Sequence, residues 1–284
     1  MGVRTREVNK AVVAGEQYDC QPTLDDQQVI DFCRNGFLML PGVVSEEVNR
    51  RAVKFLDGHD EEEPSAILDE QWFVDGVIKN PAGAGAVRSL LGRDFVLPKL
   101  MANHRVECPA PALNWHADGG SVPRPQCDYL QVFYYPEETP REMGPTEILP
   151  GSHLYRGFGG FLSRLRSVRD SVLTTSPAGT IFVTFYSIWH RRSASSATGI
   201  RNNLKYNYWR TVPPCRDWKA DPEFDFSWRL FETPILNLRG AELLTWLCNE
   251  EWEHLGGQSW PCPAQRKHNH DQQGLPAGLR RHPC

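Results

Sequence analysis

The segment GTIFVTFYSIWHRRS (residues 179–193) begins at a glycine, continues as a run of β-branched and aromatic residues, and ends in a histidine and two arginines. This composition predicts a buried β-strand. The same pattern recurs in DYLQVFYYP (128–136), GPTEILPG (144–151) and NLKYNYWRTV (203–212), and no regular helical pattern separates these segments. Strands in this arrangement favour an antiparallel barrel or sandwich over a parallel α/β sheet.

Helical patterns flank the predicted strands. TLDDQQVIDFCRNG (23–36) opens with a threonine as predicted N-cap and ends at a glycine, and SEEVNRRAVKFLDG (45–58) repeats the pattern with Ser45 as its cap. The apolar FLMLPG (37–42) between them predicts a short strand closed by a Pro-Gly turn. Later in the chain, AELLTWLCNEEWEHL (241–255) predicts one more amphipathic helix.

The composition predicts a single domain over residues 23–255, with an N-terminal extension (1–22) before it. The residues after it, 256–284, have four glycines, four prolines and almost no aliphatic side chains, a composition typical of a disordered tail. The sequence therefore predicts one β-rich domain with flanking helices.

The bulk composition limits which classes of partner and which cellular compartment fit this chain. A formal net charge of −4 and a pI near 6.1 argue against nucleic acid as a partner. No apolar run approaches the roughly 20 residues of a membrane span, and the N-terminus lacks the apolar stretch of a signal peptide. The eight cysteines form no CxxC pair and are expected to be reduced thiols. We predict a cytoplasmic protein that acts on a small molecule, with no nucleic acid or membrane partner.

The motif NWHADGG (114–120) places His116 and Asp118 on either side of a single alanine. Among the other histidines, His190 ends the apolar segment quoted first, where its side chain can point into the mouth of a barrel. Two imidazoles and one carboxylate can hold a divalent iron on one face and leave the other face open. The motif alone is short enough to occur by chance, but together with His190 it predicts a metal site.

Arg201 follows His190 by eleven positions, at the start of the next predicted strand. A guanidinium beside an iron site can bind a carboxylate through two parallel hydrogen bonds. It would suit the distal carboxylate of 2-oxoglutarate, whose other end would chelate the metal. The plain alternative is an ordinary charge at a strand end.

An iron- and 2-oxoglutarate-dependent oxygenase would use all four of these residues. Three other classes of protein remain as alternatives. A jelly-roll protein that binds metal without oxygenase activity would keep the three ligands but would have no need for Arg201. A zinc-dependent hydrolase would need a carboxylate base near the metal, and Glu147 is the nearest candidate in the sequence. An interaction protein would leave the ligands unexplained.

The chain resembles the phytanoyl-CoA dioxygenase-like family of Fe(II)- and 2-oxoglutarate-dependent oxygenases. The resemblance lies in FLMLPGVVSEEVNR (37–50), NWHADGG (114–120), YLQVFYYPEETPREMGPTEILPGSH (129–153) and WHRRSASSATGIRN (189–202), and it extends over about residues 23–210. The resemblance implies a mainly β fold with flanking helices: a double-stranded β-helix, the jelly-roll or cupin-like barrel.

The resemblance also implies roles for individual residues. His116, Asp118 and His190 match the family's iron ligands, and Arg201 matches the arginine that holds 2-oxoglutarate. Thr146 and Asn114 fall at positions where a side chain lies near the cosubstrate. Related halogenases have a small residue at the carboxylate position, so Asp118 favours hydroxylation or another oxidation. The implied reaction uses O2 to hydroxylate an unactivated C–H bond and releases succinate and CO2.

Side-chain alternation suggests where the substrate binds. If Arg201 points into the barrel, then Asn203, Lys205, Asn207 and Trp209 share its face, although a partly exposed rim is an equally simple explanation. No basic cluster argues for a CoA thioester, and we predict a small metabolite or natural-product intermediate. Other candidates for substrate contacts are Trp72, His104, Arg105 and Tyr134.

Overall fold

The computed structural model describes residues 15–118, 124–155, 163–224 and 234–249, and the short strands at 254–255 and 258–259. Within these residues the protein is mainly β, and all paired strands run antiparallel. This confirms the mainly β part of the predicted fold class. None of the helices in the described part of the chain combines the length and the hydropathy of a membrane span.

Fourteen strands lie in the described residues. In chain order they are β1 (Gln17–Tyr18), β2 (Phe37–Leu40), β3 (Phe95–Val96), β4 (Ala102–Asn103), β5 (Val106–Cys108), β6 (Tyr129–Tyr135), β7 (Thr146–Ile148), β8 (Val172–Leu173), β9 (Thr180–Phe185), β10 (His190–Arg192), β11 (Gly199–Arg201), β12 (Leu204–Trp209), β13 (His254–Leu255) and β14 (Gln258–Ser259). Each strand predicted from the sequence is present, and the first predicted segment divides into β9 and β10.

Four longer helices accompany the strands: α1 (Asp26–Asn35), α2 (Glu46–Asp57), α3 (Pro81–Leu91) and α4 (Pro234–Leu247). Short helical turns lie at Ser65–Asp69, Gln71–Phe73, Val74–Ile78, Arg141–Met143 and Ser152–Leu154. The helices α1 and α2 and the strand β2 between them confirm the helix–strand–helix pattern predicted for the opening of the domain.

The strands form one large sheet and two small ones. The large sheet has the order β1-β3-β12-β6-β9-β2, and β4 pairs with the other end of β12. The small sheets are β10-β7-β8 and β11-β5, and β13 and β14 form a separate hairpin. Strand β1 belongs to the predicted N-terminal extension, yet it pairs with β3 at the edge of the large sheet. The predicted domain boundaries remain predictions.

The large sheet has a different neighbour on each face. Alternate residues of its central strands, such as Val132 and Tyr206, join the main apolar core with the helices. On the opposite face Phe133 and Phe182 pack against Ile148 and Ile188 in a second core. The large sheet therefore lies between a layer of helices and the small sheet that carries His190, and the second face leads to the site.

Two predicted helix boundaries need correction. Helix α1 is capped by Asp25 and not by Thr23: Asp25 and Gln28 form a reciprocal capping box. The backbone N–H of Thr23 donates instead to Ser89. Helix α4 begins at Pro234, seven residues before the prediction, and ends at Leu247. Proline is suited to the first helical position, since its missing N–H would have no helical partner there.

The cysteines are also not all reduced. Cys20, Cys33, Cys108, Cys127 and Cys248 are reduced, as predicted. Cys215 is disulfide-bonded, which corrects the prediction for this residue.

Gly36, which ends α1, has no room for a side chain. Its φ is +79°, and an added Cβ would lie 2.3 Å from Nδ1 of the buried His153. We expect Gly36→Ala to lower the free energy of unfolding by about 2–5 kcal/mol, from left-handed strain and overpacking together. The measurement is urea denaturation.

Gly58 is the matched control for Gly36. It also ends a helix, but its φ is −92° and an added Cβ would meet its nearest neighbour, the Phe55 carbonyl oxygen, at 3.6 Å. Gly58→Ala should change the free energy of unfolding by less than about 1 kcal/mol. Equal losses in the two variants would contradict our explanation.

Candidate functional site

The backbone holds His116 and His190 directly opposite each other. The N–H of His116 donates to the carbonyl of His190 at 3.0 Å, and the N–H of His190 donates back at 2.9 Å. The centres of the two imidazole rings are 4.6 Å apart. Strand β10 is also paired with β7, so His190 is fixed from both sides. Residues far apart in sequence thus meet through ordinary antiparallel pairing.

Each imidazole is oriented by a hydrogen bond from its Nδ1. His116 Nδ1 lies 2.9 Å from the carbonyl oxygen of Asn114, and His190 Nδ1 lies 3.0 Å from that of Ile188. A carbonyl oxygen can only accept, so Nδ1 is the donor in both rings, and in the neutral form of such a ring Nε2 keeps its lone pair. This arrangement is common for metal-bound histidines, because the second hydrogen bond fixes the ring and its tautomer.

Nε2 of His190 is buried and has no hydrogen-bond partner among the described residues. Burial lowers the pKa of His190 to about 4, against the opposing effect of Asp118. The ring is therefore neutral at neutral pH. A buried nitrogen lone pair without a donor is costly in a folded protein, and a metal ion would satisfy it.

Asp118 completes the cluster. One ligand atom from each of His116, Asp118 and His190 can be chosen so that all three lie within 4.8 Å of one another. Burial alone would raise the pKa of Asp118, but His190 and Lys205 outweigh it and the pKa is lowered. Lys205 Nζ lies 3.3 Å from the carboxylate. Two neutral nitrogens and one carboxylate are the donor set of non-haem Fe(II) sites with open positions, so these residues fit the predicted metal.

A cavity of about 350 Å³ joins the two histidines to Arg201. Its other lining residues come from the loop after α2, from β4 and the segment that leads into β5, from the loop before His116, from β7 and β10, and from the segment between β11 and β12; they are Glu62, Glu63, Ala102, Asn103, His104, Arg105, Val106, Leu113, Thr146, Arg192 and Asn203. Two of the three predicted metal ligands and the predicted carboxylate-binding arginine therefore line the same cavity.

Arg201 is a buried cation without an anion. Its side chain is almost fully enclosed, with 3% of the residue exposed, and its Nε has no hydrogen-bond partner. Nη2 donates to the hydroxyl of Thr146 at 3.3 Å, and the guanidinium lies 5.6 Å from the centre of the Tyr135 ring. Among the described residues no carboxylate pairs with it. A buried charge is stable only with a partner, so the cavity favours an anionic ligand here.

Thr146 holds Arg201 from the neighbouring small sheet. Its hydroxyl accepts a hydrogen bond from Tyr135 at 2.9 Å as well as the one from Arg201. Asn114 is different: its side chain is exposed, and it contributes the backbone carbonyl that orients His116. The structure therefore brings Thr146 to the cavity but not the Asn114 side chain.

Glu147 lies away from the cavity. It pairs with Arg191 across β7 and β10, and its carboxylate accepts from Arg191 Nε at 2.7 Å and from Ser171 at 2.6 Å. Because side chains alternate along a strand, Glu147 points away from the face that Thr146 shares with Ile148. The base that a zinc hydrolase would need is thus engaged elsewhere.

Sequence reasoning missed Arg192. It lines the cavity, and burial together with the charge of Arg201 lowers its pKa. Alternation along β10 could have identified it, since it stands two residues after His190. Of the other substrate candidates, His104 and Arg105 line the cavity.

Two further candidates lie elsewhere. The Tyr134 hydroxyl donates to Asn49 on the helix side of the large sheet. The ring of Trp72 packs under the guanidinium of Arg51.

The comparisons with known proteins show similarity of fold. No family model matches the chain, and no curated protein matches it. Apo HygX from Streptomyces hygroscopicus matches with 16% identity over 67% of this chain and 88% of its own, with a TM-score of 0.53. The epimerase SnoN and the carbocyclase SnoK, both non-haem α-ketoglutarate-dependent enzymes of nogalamycin biosynthesis, match with TM-scores of 0.53 and 0.52 and 18% identity.

SnoN is covered over 80% of its length and SnoK over 90%, by 65% and 70% of this chain. HygX has also been crystallised with nickel and 2-oxoglutarate, and with iron. SnoN has been crystallised with Fe3+, α-ketoglutarate and a nogalamycin compound. At these identities the similarity establishes a fold shared with iron- and 2-oxoglutarate-dependent enzymes.

Proposed function

We propose that this protein is a non-haem Fe(II)- and 2-oxoglutarate-dependent dioxygenase of the phytanoyl-CoA dioxygenase-like type, built on a jelly-roll barrel. It hydroxylates an unactivated C–H bond of a small metabolite or natural-product intermediate. The observation that carries the proposal is the cavity that joins two members of the His116–Asp118–His190 cluster, the histidines, to a buried arginine that has no counter-ion among the described residues. The fold shared with iron- and 2-oxoglutarate-dependent enzymes supports it.

The chain's own residues have separable tasks. Nε2 of both histidines and the Asp118 carboxylate would hold Fe(II), and Arg201 would bind the distal carboxylate of 2-oxoglutarate through its guanidinium. When bound together, iron, 2-oxoglutarate and O2 supply an oxidative decarboxylation that yields succinate and CO2 and adds oxygen to the substrate. Lys205 holds the Asp118 carboxylate in place by an ion pair.

Water is excluded from one side of the site by an apolar layer. The His190 ring lies 5.9 Å from Phe133, which packs with Phe182, Ile148 and Ile188. A dry wall strengthens the interaction between the ligands and a metal ion, because the local dielectric is low. Asp118 supports hydroxylation over halogenation, since the carboxylate occupies the ligand position.

The proposal is tested by anaerobic titration of metal-free protein with Fe(II) and then 2-oxoglutarate. We expect a visible charge-transfer band of the chelate at one equivalent of each. Succinate in place of 2-oxoglutarate is the matched control and should give no band, because it lacks the 2-oxo group. Stoichiometric Fe(II) binding without a band on addition of 2-oxoglutarate would overturn the proposed function.

A further inference from the structure

The face of the large sheet that lies opposite the helices, and that includes Phe133 and Phe182, carries three rows of side chains. Each row consists of residues paired with one another on neighbouring strands. Pairing of β12 with β6 sets Lys205 opposite Phe133, Asn207 opposite Gln131 and Trp209 opposite Tyr129. The next strand, β9, adds Phe182 and Thr184 to the first two rows. From the metal cluster outward, the rows are a lysine with phenylalanines, a row of amides with a hydroxyl, and an aromatic row.

The middle row contains amides without partners. Gln131 is 1% exposed, and its side chain lies near enough to Asp118 to help lower the pKa of that carboxyl group, yet neither Nε2 nor Oε1 makes a hydrogen bond of normal geometry within the described residues; Oδ1 of Asn207 is also unpaired. The two side chains stand directly opposite each other but form no hydrogen bond together. Most buried amides in native proteins are satisfied, so a neighbouring unpaired pair indicates groups that meet a bound ligand.

The outer row is aromatic and half-buried. Trp209 stacks on Tyr129 with ring centres 4.4 Å apart, and Tyr186 lies 4.9 Å from Tyr129. Tyr186 is close enough to Asp118 for that carboxylate to raise its pKa, although burial is the larger cause. A half-buried aromatic surface favours contact with a flat ring.

The inner row ends at the metal cluster. Lys205 is the cation nearest the Asp118 carboxylate in the described residues, and its side chain is 21% exposed. Its ammonium group has three N–H donors, and the ion pair with Asp118 does not use all of them. A carbonyl or phenolic oxygen of a bound molecule could therefore be held beside the metal position.

We propose that these three rows form the binding face for the oxidised substrate, and that this substrate is an aromatic ring compound with hydroxyl and carbonyl oxygens on its edge. The inference rests on the proposed function. Arg201 and Arg192 line the cavity together with the two histidines, whereas the rows adjoin Asp118 through Lys205, so cosubstrate and substrate would be held by different side chains. The aromatic row stacks the ring, the amides bind its oxygens, and Lys205 orients the oxygen nearest the metal.

The test uses full-length protein loaded anaerobically with Fe(II) and 2-oxoglutarate, and 7-hydroxycoumarin as probe. Binding is followed by fluorescence anisotropy of the probe and by a shift of the chelate band. Methyl β-D-glucopyranoside and octanoic acid, tested as competitors, represent a sugar ring and a linear chain. We expect the probe to bind, and Trp209→Ala and Asn207→Leu each to weaken it by at least about tenfold, the loss of one good contact. Gln71→Leu, which removes an exposed amide, should leave its affinity unchanged.

The stability of the variants supplies a second readout that needs no ligand. An amide reserved for a ligand contributes nothing to the apo fold, so Asn207→Leu should leave the urea midpoint unchanged or raise it. A lowered midpoint would assign the amide a structural role and overturn the inference. Displacement of the probe by the glucoside or the fatty acid, or an intact chelate band without probe binding, would also overturn it. Absence of the chelate band itself would instead count against the proposed function.

Discussion

Replacement of His190 by leucine is expected to weaken Fe(II) binding by more than about 100-fold, because loss of a ligand's hydrogen-bonding partner alone costs about 10–100-fold. The His190 side chain is buried, and within the described part of the chain its Nε2 has no hydrogen-bond partner. Among the described residues, the metal-ligand group consists of three side chains, so no fourth one can replace His190. The measurement is anaerobic equilibrium dialysis with metal analysis of the protein fraction.

The same variant should keep its fold. Leucine removes a buried nitrogen that has no partner and leaves one carbonyl, that of Ile188, without its donor. These two effects oppose each other, so the free energy of unfolding of the metal-free protein should change by no more than about 1–2 kcal/mol. Saturating Fe(II), at about 100 times its dissociation constant, should stabilise the unaltered protein by about 2.7 kcal/mol and should not stabilise the variant. Equal Fe(II) binding by both proteins would remove His190 from the metal site.

The strands could be predicted from the sequence because they have a distinctive amino-acid composition. The runs that became β6, β9 and β12 are rich in β-branched and aromatic residues, and turn residues separate them. Helix α1 was found by its terminal Gly36, whose left-handed conformation few other residues adopt. Its start was misplaced by two residues because threonine and aspartate are both good caps, and only the reciprocal bond to Gln28 decides between them.

The site was harder to predict than the strands. His116, Asp118 and His190 carry a spacing that can be recognised, and the structure places them together. The surroundings depend on strand pairing, which the sequence does not specify. The pairing of β7 with β10 turns Glu147 away toward Arg191, and the pairing of β6 with β12 sets two amides opposite each other. Neither result follows from any local pattern.

Arg201→Leu is expected to raise the dissociation constant of 2-oxoglutarate from the Fe(II)-loaded protein by about 30-fold or more, since truncating one partner of a buried charge pair costs about 2–5 kcal/mol. Arg201→Lys should recover part of this loss, because lysine keeps the charge but not the planar fork that matches a carboxylate. The dissociation constant is read from the chelate band during anaerobic titration. The band itself should reach the same intensity at saturation, because the three metal ligands are intact.

Pyruvate separates the role of Arg201 from a general disturbance of the cavity. It carries the same 2-oxo acid end as 2-oxoglutarate but no distal carboxylate, so it has nothing to place against the guanidinium. The unaltered protein and Arg201→Leu should therefore bind pyruvate with dissociation constants within a few-fold of each other, and the penalty should appear only with 2-oxoglutarate. A loss of the same size for both acids would mean that the substitution damages the metal end of the cavity. Arg201 would then not be the anchor of the distal carboxylate of 2-oxoglutarate, and another ligand would be needed to explain its unpaired charge.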